Sequence, residues 1–419
     1  MSLRFFGLSG HLVSGASGHF ETFHKGLFKA FKEILGEENC SFLGSQSSEG
    51  ENLWFEANLP DSLTSTIPWV SKGFLDSAFD SVDEVGNSHI LYVYEGNLTN
   101  LFLIGNIARR KSNVFIYFNL FNSYKYNSKF ESKGKLLVFK LLFLLALRGL
   151  EGRIFLTADT KRFADFLSKK LGKTFSEYPM YSALKYKLGS DNQRKRVLIN
   201  FRFQKSQELI QVAIEKIVDL QEIGLDLHGI YDENVTQALS VFPNIRILND
   251  PLDELSYFNL YSKYYRIAFI YDPEFLSMQS SGRLMDAIIA GAELVVPRDT
   301  AMEDVLLEYG NGSSFRFNSY ESLADALIAE PKVPKQVDYL PTSSRAAQSI
   351  LNSMEKLLLT RALQSNFQRI LDIALDEGIR HLLWLLRVIF GVKNYCQRYL
   401  GGILQTLAPK LKDNRVRPV

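Results

Sequence analysis

Cysteine is nearly absent. Only Cys40 and Cys396 occur among 419 residues, too few for a disulfide framework or a thiolate metal cluster. A reducing compartment, the cytoplasm, is the expected setting. Nowhere does the sequence set His, Cys, Asp and Glu at metal-ligand spacing, so no metal or other cofactor is expected. An excess of either charge is also missing: 48 Lys and Arg stand against 46 Asp and Glu, a net charge of +2. Such balance gives no reason to expect a nucleic-acid partner. Long apolar runs are lacking too. The most apolar stretch, Leu136 to Leu147, is interrupted by Lys140 and is too short to span a bilayer. It reads as a buried helix of the core. The opening MSLRFFGLSG has no sustained apolar segment after Arg4, and no signal peptide is expected.

What is present suits a folded α/β protein. Hydrophobic content of 46% and charged content of 22% exclude disorder and a polyelectrolyte, and the length predicts two or three domains. GLSGHLVSGASGHFETFHKGLFKAFKEIL has the form of strand, Gly/Ser loop and helix. HILYVY, NVFIYFNL and GRIFLTA are rich in β-branched and aromatic residues, as strands buried on both faces are. Helical stretches, among them Leu98 to Arg110, separate them. A polar linker, Leu188 to Lys195, precedes a second unit of the same kind. There RVLINF, DLHGI, NIRIL, RIAFI and ELVVP alternate with helical segments, one predicted from about Ser206 to Ile223. The alternation predicts two doubly wound parallel sheets with sites at the carboxyl ends of their strands. The expected domains are 1–187, 188–330 and a mainly helical 331–419.

The richest stretch runs from Arg266 to Phe317. A buried strand leads through a polar loop to Ser280, Ser281, Gly282 and Arg283, which open a short apolar helix. The first-turn N–H groups of a helix are unpaired and its dipole is positive there, so this is a phosphate site in physical terms. Asp286, one turn in, is placed to accept hydrogen bonds from ribose hydroxyls. Arg283 adds a third cation or projects into solvent.

DAIIAG, then ELVVP, then GNG resembles the donor half of the large retaining group of GT-B glycosyltransferases, the family 4-like enzymes. The likeness covers roughly 188–330, with a looser match of order and loop placement over 1–185. It implies two Rossmann-like domains facing across a cleft, with a C-terminal helical extension. It also implies a nucleotide-diphosphate-sugar donor and no metal. Asp286 stands at the ribose-binding Glu of the family, and Met278 where the family has a second acidic residue. Arg202 and Lys205, in NFRFQKSQEL, match the cations that neutralise the donor pyrophosphate, where charge builds as the nucleoside diphosphate leaves. Backbone atoms around Leu248 correspond to those that read the base. In the first domain, Gly18 and His19 correspond to the loop facing the donor phosphates and acceptor. Glu95, Gly96 and Asn119 occupy acceptor-side strand ends, Asn119 where many members have a His. His228 reads as a strand-end residue rather than a ligand.

The expected activity is transfer of a sugar, with retention, from a nucleotide-diphosphate donor to a glycan or lipid-linked acceptor of the cell envelope. A non-catalytic nucleotide- or glycan-binding scaffold and a sugar-nucleotide epimerase are the alternatives. Residues 380–419 carry eight Lys and Arg against one Asp, with aromatics among aliphatics. That composition suits a peripheral contact with an anionic membrane surface.

Overall fold

A computed structural model describes residues 3–8, 20–43, 88–96, 98–120, 132–182, 196–202, 223–229, 233–248, 259–271, 277–278, 281–309, 315–330 and 342–359. The polar linker before Arg196, the helix expected from Ser206 and the basic stretch 380–419 lie outside these residues.

Six parallel strands form the first sheet: β1 (Leu3–Leu8), β2 (Cys40–Leu43), β3 (Ser88–Gly96), β4 (Val114–Leu120), β5 (Ile154–Ala158) and β6 (Ser176–Glu177), in the order β2-β1-β3-β4-β5-β6. Every residue of β4 is buried, as helices on both faces of a parallel sheet require. Its helices are α1 (Phe20–Leu35), α2 (Leu98–Arg110), α3 (Lys133–Leu147) and α4 (Lys161–Leu171). Helix α4 shows local chemistry setting an element's ends. Thr160 accepts from the Phe163 N–H at its start, and Gly172 closes it at φ 71°, a conformation glycine adopts without penalty.

The second sheet repeats the plan. β7 (Arg196–Arg202), β8 (Gly224–His228), β9 (Ile245–Leu248), β10 (Arg266–Tyr271), β11 (Glu293–Pro297) and β12 (Phe315–Phe317) lie parallel in the order β12-β11-β10-β7-β8-β9. Its helices are α5 (Glu233–Ser240), α6 (Gly282–Ile289), α7 (Ala301–Tyr309) and α8 (Tyr320–Ile328). One face packs Leu198, Phe269 and Leu294 against Leu284 and Ile288 of α6 and Val305 of α7. The other packs Ile199, Leu227 and Ile270 against Leu323 and Leu327 of α8. A last helix, α9 (Ser343–Leu359), returns to the first sheet, where Ala347, Ile350 and Met354 join Leu27 and Phe31 of α1 over Tyr92 and Tyr117.

Charge is buried at the amino-terminal edge of the second sheet. Arg266, the first residue of β10, meets Glu293, the first of β11, at 2.6 Å with both almost wholly buried. Asp226 of β8 is held by Arg196, Arg246 and Tyr264. Burial raises the Asp226 pKa, but the hydrogen bonds from Arg246, Arg196 and Tyr264 outweigh it and leave the carboxylate below its ordinary range. These pairs lie at the opposite end of the strands from the expected sites, and they knit strand starts together.

One expectation needs correcting. The apolar run 136–147 is a helix, α3, but it is not buried: Leu137, Val138 and Leu141 are 69%, 58% and 58% exposed. Only Phe143, Ala146 and Leu147 enter the core. Among the described residues α3 has packing partners on one side alone. No helix among the described residues is long and apolar enough to cross a membrane.

Candidate active site

The carboxyl ends of the two sheets supply the chemistry-bearing residues. In the second half, Arg202 ends β7 opposite Tyr271, the last residue of β10. His228 ends β8, Leu248 ends β9, and α6 begins nearby at Gly282. Ser281 is the N-cap of α6, buried, and its side chain makes no capping hydrogen bond. Among the described residues nothing lies within 4 Å of where a Cβ on Gly282 would be. Within that first turn the Leu284 N–H donates to the Ser281 carbonyl at 2.9 Å, and Arg283 follows the Gly282 backbone. Burial, then the positive charge of Arg283, lowers the His228 pKa to about 4, so the ring is neutral near pH 7. Asn200 pairs in register with His228. Its side-chain amide is wholly buried, with no hydrogen-bond partner among the described residues, a costly arrangement that calls for a ligand or a water.

Asp286 is 3% exposed, and its Oδ1 accepts from Ser182 Oγ at 2.7 Å. Ser182 belongs to the chain leaving the first sheet and forms an isolated bridge with Thr342. The carboxylate expected at ribose thus ties the two halves together. Met278 contributes its backbone, whose carbonyl accepts from Thr160 Oγ1 at 2.6 Å. The side-chain type at position 278 does not enter that contact. Arg162 of α4 adds a third tie, clasping both Asp304 oxygens of α7 and donating to the Asp299 carbonyl.

In the first half, Asn119 is fully buried at the end of β4. Its amide oxygen accepts from Thr157 at 3.1 Å and its nitrogen donates to Asp159 at 3.3 Å. Gly96 has a packing reason: a Cβ there would strike the Phe118 ring and lie 2.9 Å from the Asn119 carbonyl oxygen. For Glu95 and Arg202 the structure describes the backbone alone, and Gly18, His19, Lys205 and Ser280 lie outside the described residues.

No family model and no curated protein sequence matches the chain. Solved structures do. A UDP-GlcNAc 2-epimerase from Neisseria meningitidis bound to UDP-GlcNAc superposes with a TM-score of 0.50 at 12% identity, covering 85% of this chain and 100% of that one. A sucrose-phosphate synthase from Thermosynechococcus elongatus gives 0.50 at 12% identity, over 91% of this chain and 100% of its own. The fold is GT-B.

Within the GT-B frame, sequence reasoning missed Asp159, Glu177 and the ties between halves. Asp159 sits 7% exposed between β5 and α4. Its signal was available: a strand, LTA, running into Asp-Thr before a helix. Glu177 ends β6, and burial, then repulsion from Glu308, lifts its pKa to about 7. Nothing in the local sequence marks it, since Glu308 comes from α7. Among the described residues no three His, Cys, Asp or Glu side chains gather where a metal ion could sit.

Proposed function

We propose that this protein is a glycosyltransferase that moves a sugar from a nucleotide-diphosphate donor to a glycan or lipid-linked acceptor. The observation that carries the reading is the start of α6, where a buried Ser281 whose side chain does not cap the helix, Arg283 and, among the described residues, open space beside Gly282 meet at the carboxyl edge of a GT-B donor sheet. A diphosphate there accepts from the Gly282 and Arg283 N–H groups, and two further cations, Arg202 and Lys205, take the charge that builds as the nucleotide leaves. The backbone at Leu248 receives the base. Asp286 takes the ribose by exchanging its bond to Ser182, so donor binding competes with that tie between the halves. On the acceptor side Gly96 and Glu95 line the strand end, and Asn119, buried rather than presented to a hydroxyl, holds Asp159 and Thr157 in place. His19, with Gly18, is assigned to the donor phosphates. Held this way, the departing phosphate lies on the same face as the incoming hydroxyl and takes its proton, which is a retaining geometry.

A sugar-nucleotide epimerase is the second reading. The epimerase from Neisseria meningitidis matches the fold as well as the synthase does, and Glu177, with a pKa of about 7, is suited to proton transfer. Incubation with UDP-sugars in deuterated water separates the two. The transferase reading expects acceptor-dependent release of nucleoside diphosphate, undiminished by EDTA. Deuterium appearing at C2 of recovered UDP-GlcNAc, without acceptor, makes the protein an epimerase. Binding with neither outcome makes it a scaffold. In the transferase, Arg202→Ala with Lys205→Ala lowers kcat roughly a hundredfold or more. Ser182→Ala, which removes that one bond to Asp286, lowers the nucleotide Kd; an unchanged Kd removes the exchange.

A further inference from the structure

Exposed aliphatics elsewhere in the described chain, such as Ile34, Val241 and Leu307, stand singly, which is ordinary for a protein surface. On α3 they gather. Leu137, Val138 and Leu141 are all more than half exposed, and their spacing of one, then three, with four between first and last places them on one helix face. The opposite face is committed to protein: Phe139 stacks on Phe143, Phe143 on Phe175, and the Ala146 carbonyl accepts from Arg109. Lys133, Lys135 and Lys140 flank the apolar face, and the helix contains no Asp or Glu. Lys140 reaches toward Gly172, so the basic end of α4, with Lys169 and Lys170, lies beside it. Asp165, on the same helix α4, is the nearest carboxylate in sequence to that end.

We infer that this face of α3 docks the protein onto an anionic lipid surface. Aliphatics directed outward between rows of lysines fit an interfacial helix, whose apolar side enters the acyl boundary while the ammonium groups meet lipid phosphates. Fifteen residues make a helix of roughly 22 Å, which lies along the surface rather than crossing it. Charge argues against two other occupants. A second copy set face to face would oppose these lysines with their own equivalents. Residues 380–419, eight Lys and Arg against one Asp, carry the same sign. Helix α3 starts at the carboxyl edge of the first sheet, where β4 ends at Leu120 beside Asn119, because a crossover helix begins where its parallel strand finishes. A bilayer held there adjoins the acceptor side of the proposed cleft. The docking itself stands apart from the nucleotide-sugar reading, since it rests on α3 alone.

The test is flotation of the full chain with phosphatidylcholine vesicles, with and without phosphatidylglycerol. The wild type floats with the anionic vesicles and less so as salt is raised. Leu137→Glu with Leu141→Glu lowers the partition coefficient about tenfold or more, while Val241→Glu, also exposed, leaves it unchanged. Thermal melts identical to wild type confirm that both variants fold. Wild-type flotation of the double variant, or no flotation of the wild type, overturns the proposal. So does sedimentation showing a dimer that the double variant abolishes, because the face would then join two copies.

Discussion

Helices α6 and α3 are both apolar in sequence and finish in opposite surroundings. In α6 the run Leu284 to Ile289 is buried without a break, Asp286 included. The longer and richer α3 buries three residues. Composition sets what a helix gains from burial; the layers around it decide which sides are covered. Helix α6 lies between its own sheet, α7 and the chain leaving the first half. Beyond α3 no further layer occurs among the described residues. The comparison also separates a buried polar group from exposed ones: Asp286 is buried and bonded to Ser182, while Lys133 and Lys135 of α3 stay exposed at its margins.

The largest effect expected from this contrast is in the packing of α6. Leu284 is fully buried among aliphatics, so Leu284→Ala should cost about 2–5 kcal/mol in urea unfolding, the lost transfer energy plus the cavity left behind. A cost below about 0.5 kcal/mol, the level of surface positions, would mean that α6 is a surface element and that the contrast is misdrawn.

Next comes the tie between halves. Ser182→Ala leaves the buried Asp286 carboxylate short of a hydrogen bond, and the loss should be about 1.5–3 kcal/mol, as for bonds to charged groups. Ser182→Thr, which keeps the hydroxyl, should recover most of it. Equal losses in the two variants would assign the effect to packing rather than to the hydrogen bond.

A smaller effect depends on pH. Glu177 has its pKa raised to about 7 from an ordinary 4.5, by burial first and then by Glu308, with Asp304 adding to it and Lys161 opposing. The folded protein therefore keeps a proton that the unfolded chain has released between those values. Stability is full below pH 4.5 and declines as pH rises through 7. Because the side chain is partly exposed, the decline should be about 1–2 kcal/mol. His228 runs the other way, its lowered pKa of about 4 costing stability as pH falls below about 6.5. The difference between wild type and Glu177→Gln isolates the carboxyl group: the variant should lose the decline on the alkaline side and keep the acid limb. Parallel pH profiles for the two proteins would show that Glu177 titrates normally.

Much of the fold was legible because it depends on local signals. RVLINF, RIAFIY and ELVVP are strands as their β-branched runs imply, and Leu98 to Arg110 is a helix with the predicted limits. Short edge strands were not legible. Ser176–Glu177 and Phe315–Phe317 owe their pairing to a neighbour already in place. In the candidate site the start of α6 could be read from Ser-Gly before an apolar helix. Its ties could not, because Thr160 with Met278, Arg162 with Asp304 and Ser182 with Asp286 join residues more than a hundred apart. Exposure of α3 was not legible for a related reason: periodicity tells where apolar groups lie around a helix, but aliphatics surround α3 on nearly every side, and Lys133, Lys135 and Lys140 do not set apart one solvent face.

The smallest effect is expected at that face, and it is the sharpest test of the comparison. Leu141 is chemically the same residue as Leu284, on a helix of similar character, yet 58% of it meets solvent. Truncation there opens no cavity and removes little area from the folded interior, so Leu141→Ala should change unfolding free energy by no more than about 0.5 kcal/mol. Alanine's higher helix propensity, worth a few tenths of a kcal/mol over leucine at most, can tip the sign toward stabilisation. Measured beside Leu284→Ala in the same urea series, the pair asks one question of one residue type in two layers. A loss at Leu141 approaching that at Leu284 would mean that the apolar face of α3 is covered in the folded chain, and it would withdraw the face from any external partner.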